Sequence, residues 1–359
     1  QEFENIFPDL IRKGSDPIRQ LALRFIEDQK MTDCLPLLKD QPAAGDLTKN
    51  LTAELKSLTQ PQTLNTYLKA REKHKRMIAA RYLGSGTERD SNIKTLGTLL
   101  RDPDNEVKSA AFMSAIKLGA HELAPVFADF LSHPVMGTHA YEALRSQGAS
   151  VVDVLEQYYY KTGTSLHTQI MIIRLMGEIG GETAINCLIG KLNSPGIDML
   201  NHTVLSLLKC GYKFSESHRI EFNNAINLVL SVIAWLLSIQ SAAAEAELPG
   251  SFIHAIEDEE KRSYDLLYHL LSLMYDANSV NHVRKNIETG TGESIGYALE
   301  LLDIFVDEEL KPTLIPFFED TSLVKKVTSL QQFFPVENMT TSELLLSVMN
   351  KDYNHIGLW

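Results

Sequence analysis

The sequence has few cysteines, prolines and glycines for its length. Its 359 residues include three cysteines, 13 prolines and 20 glycines. Cys34, Cys187 and Cys210 are scattered and form neither a CxxC pair nor a disulfide framework, which favours a reducing compartment. The small numbers of proline and glycine argue against an all-β protein of this size, because such folds need many turns.

Positive charge is also scarce. The chain carries 34 lysines and arginines against 46 acidic residues, so its formal net charge is −12. Each contact with a phosphate needs a local cation, and we therefore expect no nucleic-acid partner. The hydrophobic fraction of 44% and the charged fraction of 22% are typical of a chain that buries a core, which argues against disorder over most of the length.

The chain lacks the common motifs of catalysis and cofactor binding. No GxxxxGK[ST] segment is present, and residues 290–296 miss the GxGxxG spacing by one residue and follow a helix, so we interpret them as a loop. His133 and His139 have no cysteine or carboxylate at metal-ligand spacing. Cys187 and Cys210 fall on apolar helix faces, as expected of small buried residues. We expect no catalytic residue, no cofactor and no metal.

One hydrophobic run, residues 225–244, is long enough to cross a membrane. It contains polar residues such as Asn227 and Gln240, and Glu245 and Glu247 follow it without a basic anchor. A helix that is apolar all round lies either in a protein core or in a membrane. We interpret this run as a fully buried helix, and we expect no direct membrane insertion of this chain.

The middle of the chain repeats a helical pattern. Apolar residues at positions i, i+3, i+4 and i+7 recur in residues 92–101, 121–132, 150–160 and 182–193. A second helix precedes each stretch and is expected to end at a glycine with left-handed backbone. These glycines are Gly84, Gly119, Gly148, Gly180 and Gly211. Two helices in about 30 residues are typical of an α-solenoid, so the sequence predicts an all-α fold of stacked helical pairs.

The sharpest of these units begins in the turn around Pro103, which cannot continue the preceding helix. Asp102 or Asp104 can cap the next helix, because a carboxylate accepts an N-terminal N–H group. Val107 is followed by the small pair Ala110 and Ala111, which would let neighbouring helices stack closely. The unit resembles a short, bacterial HEAT repeat, and the resemblance implies that these three residues pack against the preceding repeat.

We expect three regions within one continuous armadillo-like solenoid. Residues 1–75 are predicted to hold N-terminal repeats with an irregular insertion, although a regular repeat over residues 41–75 stays open. Residues 76–214 are predicted to form regular repeats, and residues 215–359 longer, degenerate ones with an acidic surface. The helices expected in this last region cover residues 219–246, 259–275, 296–305, 310–319 and 342–350.

Negative charge is concentrated in residues 241–320, which hold 17 acidic and 5 basic residues, whereas the rest of the chain is balanced. Its densest runs are Glu257, Asp258, Glu259 and Glu260, and then Asp307, Glu308 and Glu309. These runs can be read as a solvated face. They can also be read as a docking surface for a basic protein or a neighbouring basic domain, and we take them as the candidate partner-binding site.

Residues 297–303, 309–312, 314–320 and 352–359 together resemble the HEAT-repeat region of bacterial nucleotide-translocase-like proteins, which are similar to ATP/ADP carriers of the major facilitator type. The resemblance covers about residues 255–359. It implies a membrane transporter part before the repeats and, often, a cyclic-nucleotide-binding domain after them. Because the sequence begins at Gln1 and ends at Trp359 without either part, we expect a fragment whose parent carries out transport.

These observations support two main hypotheses of function. The preferred one is a non-catalytic HEAT-repeat interaction or regulatory module in the cytoplasm, tethered to the inner membrane by transporter segments. The alternative is a free-standing HEAT adaptor or scaffold that binds a protein or peptide. A third, a lyase-like HEAT enzyme acting on a chromophore, is disfavoured because no nucleophile or acid–base pair is evident.

Overall fold

The structure is a computed structural model. It describes residues 10–13, 15–28, 49, 52–53, 56–85, 88–194, 196–335 and 340–350. Over these ranges the regular secondary structure is helical and contains no strand, which confirms the all-α prediction. Cys34, residues 41–48 of the expected insertion and the terminal string 352–359 lie outside the described residues.

The chain divides into two compact units, Gln1–Thr168 and Gln169–Trp359. The expected boundaries at residues 75 and 214 and the continuous solenoid stay predictions. The helices of the first unit are α1 (Asp16–Asp28), α2 (Pro61–Leu68), α3 (Lys73–Leu83), α4 (Arg89–Leu99), α5 (Asn105–Lys117), α6 (Ala124–Asp129), α7 (Gly137–Gln147) and α8 (Val152–Tyr159). Short 3-10 turns, His121–Leu123 and Gly148–Val151, lead into α6 and α8.

Alternate helices of the first unit lie side by side. Helix α5 contacts both α3 and α7, while α4 contacts α3 and α5, and α6 contacts α7 and α8. Val107, Ala110 and Ala111 of α5 are buried, as predicted. Small residues on this helix therefore sit where its neighbours approach.

The two aspartates before α5 have different roles. Asp104 is the helix cap, and its carboxylate accepts the Glu106 backbone N–H at 2.9 Å. Asp102 is buried and receives two hydrogen bonds from Arg76 of α3, at 2.7 Å from Nε and 3.0 Å from Nη2. Asp104 thus starts the helix, whereas Asp102 ties the turn to α3.

The predicted positive φ at helix ends is confirmed at Gly119, Gly148, Gly180 and Gly211, where φ lies between 57° and 66°. Gly148 and Gly180 are not in the left-handed helical region, because their ψ values are −143° and −162°. The prediction is wrong for Gly84, whose φ is −69°. A Cβ atom on Gly84 would lie 2.7 Å from Cβ of Ser114 in α5, so the close approach of α3 and α5, and not a positive φ, requires glycine there.

The second unit contains α9 (Leu166–Ile179), α10 (Gly181–Gly190), α11 (Ile197–Lys209), α12 (Arg219–Glu245), α13 (Gly250–Met274), α14 (Ala277–Thr289), α15 (Gly292–Phe305), α16 (Lys311–Leu314), α17 (Leu323–Leu330) and α18 (Thr341–Asn350). The unit boundary falls in the first turn of α9. The predicted helices are present, although α13 begins at Gly250 rather than at residue 259, and residues 310–319 divide into α16 and the 3-10 turn Ile315–Phe317. Helices α14 and α17 lie outside the predicted ranges.

Helix α12 is the core of the second unit. It contacts α13, α16, α17 and α18, and most of its apolar residues are buried, including Trp235 at 7% exposure. Trp235 and Leu236 pack in one cluster with Ile256 of α13 and Val348 of α18. In the part of the chain that the structure describes, this is the one helix long and apolar enough to cross a membrane. Its burial agrees with the expected core helix.

Replacing Val107 with aspartate tests the packing of α5. The side chain is fully buried, so the new carboxylate would be unpaired, and we expect the first unit to lose about 3–5 kcal/mol of unfolding free energy. Urea denaturation followed by circular dichroism measures this loss. Val135→Asp is the matched control, because Val135 is 52% exposed in the same unit. Equal losses for both variants would contradict the packing.

Candidate functional site

The predicted acidic residues occupy two places in the second unit. Glu257, Asp258, Glu259 and Glu260 lie on α13, whereas Asp307, Glu308 and Glu309 lie in the turn between α15 and α16. Among the described residues, no hydrogen bond or ion pair joins the two groups. The two groups of acidic residues therefore lie at separate places in the second unit.

Glu259 does not contribute to an exposed surface. It shares the buried face of α13 with Ile256 and Ser263, three residues before it and four after it. Its carboxylate pairs with Arg262 at 3.1 Å. Glu257 and Asp258 are exposed, and Glu260 is half-buried.

The acids of the α15–α16 turn are largely engaged within the protein. Asp307 forms an ion pair with Arg219 at the start of α12 and accepts a hydrogen bond of 2.7 Å from the Tyr275 hydroxyl. Burial, together with the neighbouring Asp307, raises the pKa of Tyr275. Glu308 pairs with Lys311 at 2.6 Å, and Glu309 is exposed. This turn is therefore mainly a structural link between helices.

The acidic run on α13 borders a cavity of about 490 Å³, which we call the α13–α14 cleft. Its volume lies in the range of ligand sites, about 300–1,000 Å³. Helix α13 contributes Glu257, Glu260, Lys261, Tyr264, Asp265 and Tyr268; α14 contributes Arg284, Ile287 and Glu288; and Ile295, Phe317, Phe318, Glu319, Asp320, Thr321 and Lys326 complete it. The cleft thus draws on five separate segments of one unit.

One wall of the cleft is aromatic. The ring centroids of Tyr264 and Tyr268 each lie 5.9 Å from that of Phe318. The Tyr264 hydroxyl donates to the Phe317 carbonyl at 3.3 Å. Burial raises the pKa of both tyrosines above the usual value, so both hydroxyls stay neutral at pH 7.

Arg284 is neutralised by its neighbours in the cleft. Its guanidinium contacts Asp265 at 2.6 Å and Glu288 at 2.8 Å. It also lies over the Tyr268 ring, 5.4 Å from the centroid. The Arg284 guanidinium is therefore already paired with two carboxylates and does little to neutralise the other carboxylates of the cleft.

Three further carboxylates interact with Lys326, which lines the cleft together with the exposed Lys261. Lys326 donates to the Phe317 carbonyl at 3.1 Å and interacts electrostatically with Glu260, Glu319 and Asp320, but none of these forms a hydrogen bond or close ion pair in the described structure. Burial raises the pKa of Glu260 and lowers that of Lys326. The cleft consequently holds more negative than positive charge in partly desolvated positions.

Other side chains considered from the sequence have local roles. His133 Nδ1 accepts the Met136 backbone N–H at 3.1 Å, and His139 lies 3.2 Å from the Ser109 hydroxyl. Cys187 and Cys210 are half-buried, and burial raises the pKa of the Cys210 thiol. The described residues contain no cluster of histidine, cysteine and acidic groups arranged to hold a metal.

The loop interpretation of residues 290–296 is wrong for most of the segment, because only Gly290 and Thr291 lie between helices and residues 292–296 begin α15. Gly290 ends α14 in the left-handed conformation, with φ of 70°. Thr291 caps α15, and Ser294 completes a capping box by accepting the Thr291 backbone N–H at 3.1 Å. The glycines therefore serve a helix end and a helix start.

Arg284, Glu319, Asp320 and Lys326 are not among the site residues predicted from the sequence. A signal for α14 was present, because Asp276 is a typical cap and Gly290 a typical end, and Arg284 and Glu288 have i, i+4 spacing. Nothing in the local sequence around Lys326 indicates that it meets Glu260 across the fold.

Comparisons with known proteins do not assign this chain to a family. No family model matches the chain, and no curated protein matches it either. Similar solved structures include the crystal structure of an engineered protein, 14% identical, in which the match covers 98% of this chain and 95% of that chain with a TM-score of 0.33. A TM-score this low does not establish a shared fold, so the likeness carries no argument about function.

Replacing Glu260 with glutamine tests the electrostatics of the cleft. Because burial raises the pKa of Glu260 in the folded chain, its contribution to stability is present at low pH and is lost as the pH rises through that raised pKa. Glutamine does not titrate. We therefore expect the stability of Glu260→Gln relative to the wild type to increase between about pH 4 and pH 7.

Urea denaturation at both pH values measures this difference. Asp258→Asn, an exposed change on the same helix, is the control and should show no such increase. If Glu260→Gln were less stable than the wild type at neutral pH and equal to it in acid, the carboxylate would be stabilised by its surroundings, contrary to the account.

Proposed function

We propose that this chain is a non-catalytic interaction or regulatory module built from HEAT-like helical pairs. The contacts of α5 with both α3 and α7 support a stacked arrangement of alternate helices. A second close approach between two helices indicates that the same packing recurs along the chain. Gly177 of α9 meets Ser206 of α11, where a Cβ atom would lie 2.6 Å from the serine Cβ, in the same way that Gly84 meets Ser114.

The partner is a protein with a basic surface, and the observation that carries this proposal is the uncompensated negative charge of the α13–α14 cleft. Six carboxylates line the cleft against three cations, Lys261, Arg284 and Lys326. Exposed Glu257 and Asp258 extend the same charge along α13. Opposite charge on a partner would increase the rate of encounter and fix its orientation.

In the preferred form of the proposal, the module is the cytoplasmic part of a bacterial transporter-like membrane protein, tethered to the inner membrane by other segments of that protein. The support is the resemblance of residues 255–359 to nucleotide-translocase-like proteins. A stacked helical module would then link a membrane part mechanically to a sensor domain. A free-standing scaffold for a protein or peptide is the second candidate, and the acidic cleft serves it equally well.

The full coding sequence around this chain separates the two candidates. The transporter proposal predicts several hydrophobic spans, each about 20 residues long, upstream of Gln1. It also predicts that a basic cytoplasmic segment of the same protein binds this chain with an affinity that falls as salt is raised. A coding sequence without such spans would overturn the membrane assignment and favour the scaffold.

A further inference from the structure

We infer that the α13–α14 cleft binds the side chain of a lysine or arginine carried by a basic segment of a partner protein. The inference rests on the proposed function as a protein-binding module and assigns the contact to one site. The occupant follows from the charge, the walls and the surroundings of the cleft.

The charge of the cleft calls for a cation. Glu260 and Glu319 are half-buried, Asp320 is exposed, and Lys326 interacts electrostatically with all three. In all, six carboxylates and three cations, Lys261, Arg284 and Lys326, line the cleft. Arg284 does not help, because Asp265 and Glu288 already engage it. Interactions between charges are stronger where water is partly excluded than on an open surface, so a further cation is favoured here and an anion is repelled.

The walls of the cleft suit a long basic side chain. The half-buried ring of Tyr264 can attract a cation, and Arg284 over Tyr268 is an example of such a contact within the same cleft. Apolar ring surfaces also cover the methylene stem of a lysine or arginine while its charged end reaches a carboxylate. The cavity of about 490 Å³ has room for one such side chain.

The surroundings favour a polypeptide over a free amine. Glu257 lines the cleft, and Asp258 beside it is exposed, so the acidic surface continues outward along α13. A small amine would pair only with the carboxylates inside the cavity and would not reach the acidic surface outside it. A segment with several basic residues would place one side chain in the cleft and leave others to meet the surface outside it.

Fluorescence anisotropy on the full chain tests the inference, with a fluorescein-labelled octa-lysine peptide as the probe and N-acetyl-lysine methylamide as a small competitor. We expect Glu260→Gln and the double change Glu319→Gln with Asp320→Asn each to weaken peptide binding by about tenfold or more. Glu293→Gln removes the same charge from an exposed site on α15 outside the cleft, and should weaken binding less than about twofold.

Lys326→Met provides a variant whose expected effect is a gain. It removes a cation that interacts with Glu260, Glu319 and Asp320, so we expect severalfold tighter peptide binding, which a misfolded protein would not show. An unchanged or weaker affinity for Lys326→Met, at native circular dichroism, would overturn the assignment of the cleft.

The remaining outcomes separate the cleft from the proposed function. Equal weakening by Glu260→Gln and Glu293→Gln would show diffuse attraction to the acidic surface, which overturns the cleft and leaves a basic partner in place. No peptide binding by the wild type at low salt would overturn both. Displacement of the peptide by the competitor at equal molar concentration would assign the cleft to free amines instead.

Discussion

Helix α12 is apolar around most of its circumference, and in water such a helix must be covered by other helices. Helices α13, α16, α17 and α18 cover it in the second unit. Each large apolar side chain that becomes buried, such as Leu236 or Ile233, contributes about 1.5–3 kcal/mol. The need to bury α12 therefore fixes the positions of α13 and α17, which also form walls of the α13–α14 cleft.

The same constraint explains why neighbouring acids on α13 differ. Ile256 and Glu259 point towards the packed interior, so Glu259 needs the pairing with Arg262. Glu260, one residue further on, is rotated by about 100° around the helix and borders the cleft. A charge that is held half-buried and without a close partner is costly for folding. Charged groups held in such unfavourable positions are typical of binding surfaces.

Much of the fold could be predicted from spacing along the chain, but the cleft could not. Apolar periodicity gave α12 and the repeated helices, and the turn at Asp104 gave the start of α5. The prediction for Gly84 was wrong because a left-handed turn and a close approach between two helices both select glycine, and the sequence does not distinguish them. Helix α17 carries Leu323, Val327 and Leu330 at positions i, i+4 and i+7, a local signal that was present although the predicted helices do not include it. The electrostatic interaction of Glu260 with Lys326 joins residues that are 66 positions apart, and no local sequence pattern predicts it.

Trp235 fluorescence tests most directly whether α12 is the buried core of its unit. The Trp359→Phe variant leaves Trp235 as the one tryptophan of the chain. The account predicts a detergent-free soluble protein whose emission maximum lies at short wavelength, resists quenching by acrylamide and does not move when lipid vesicles are added. Emission typical of an exposed indole, or a shift to shorter wavelength only with vesicles, would contradict it.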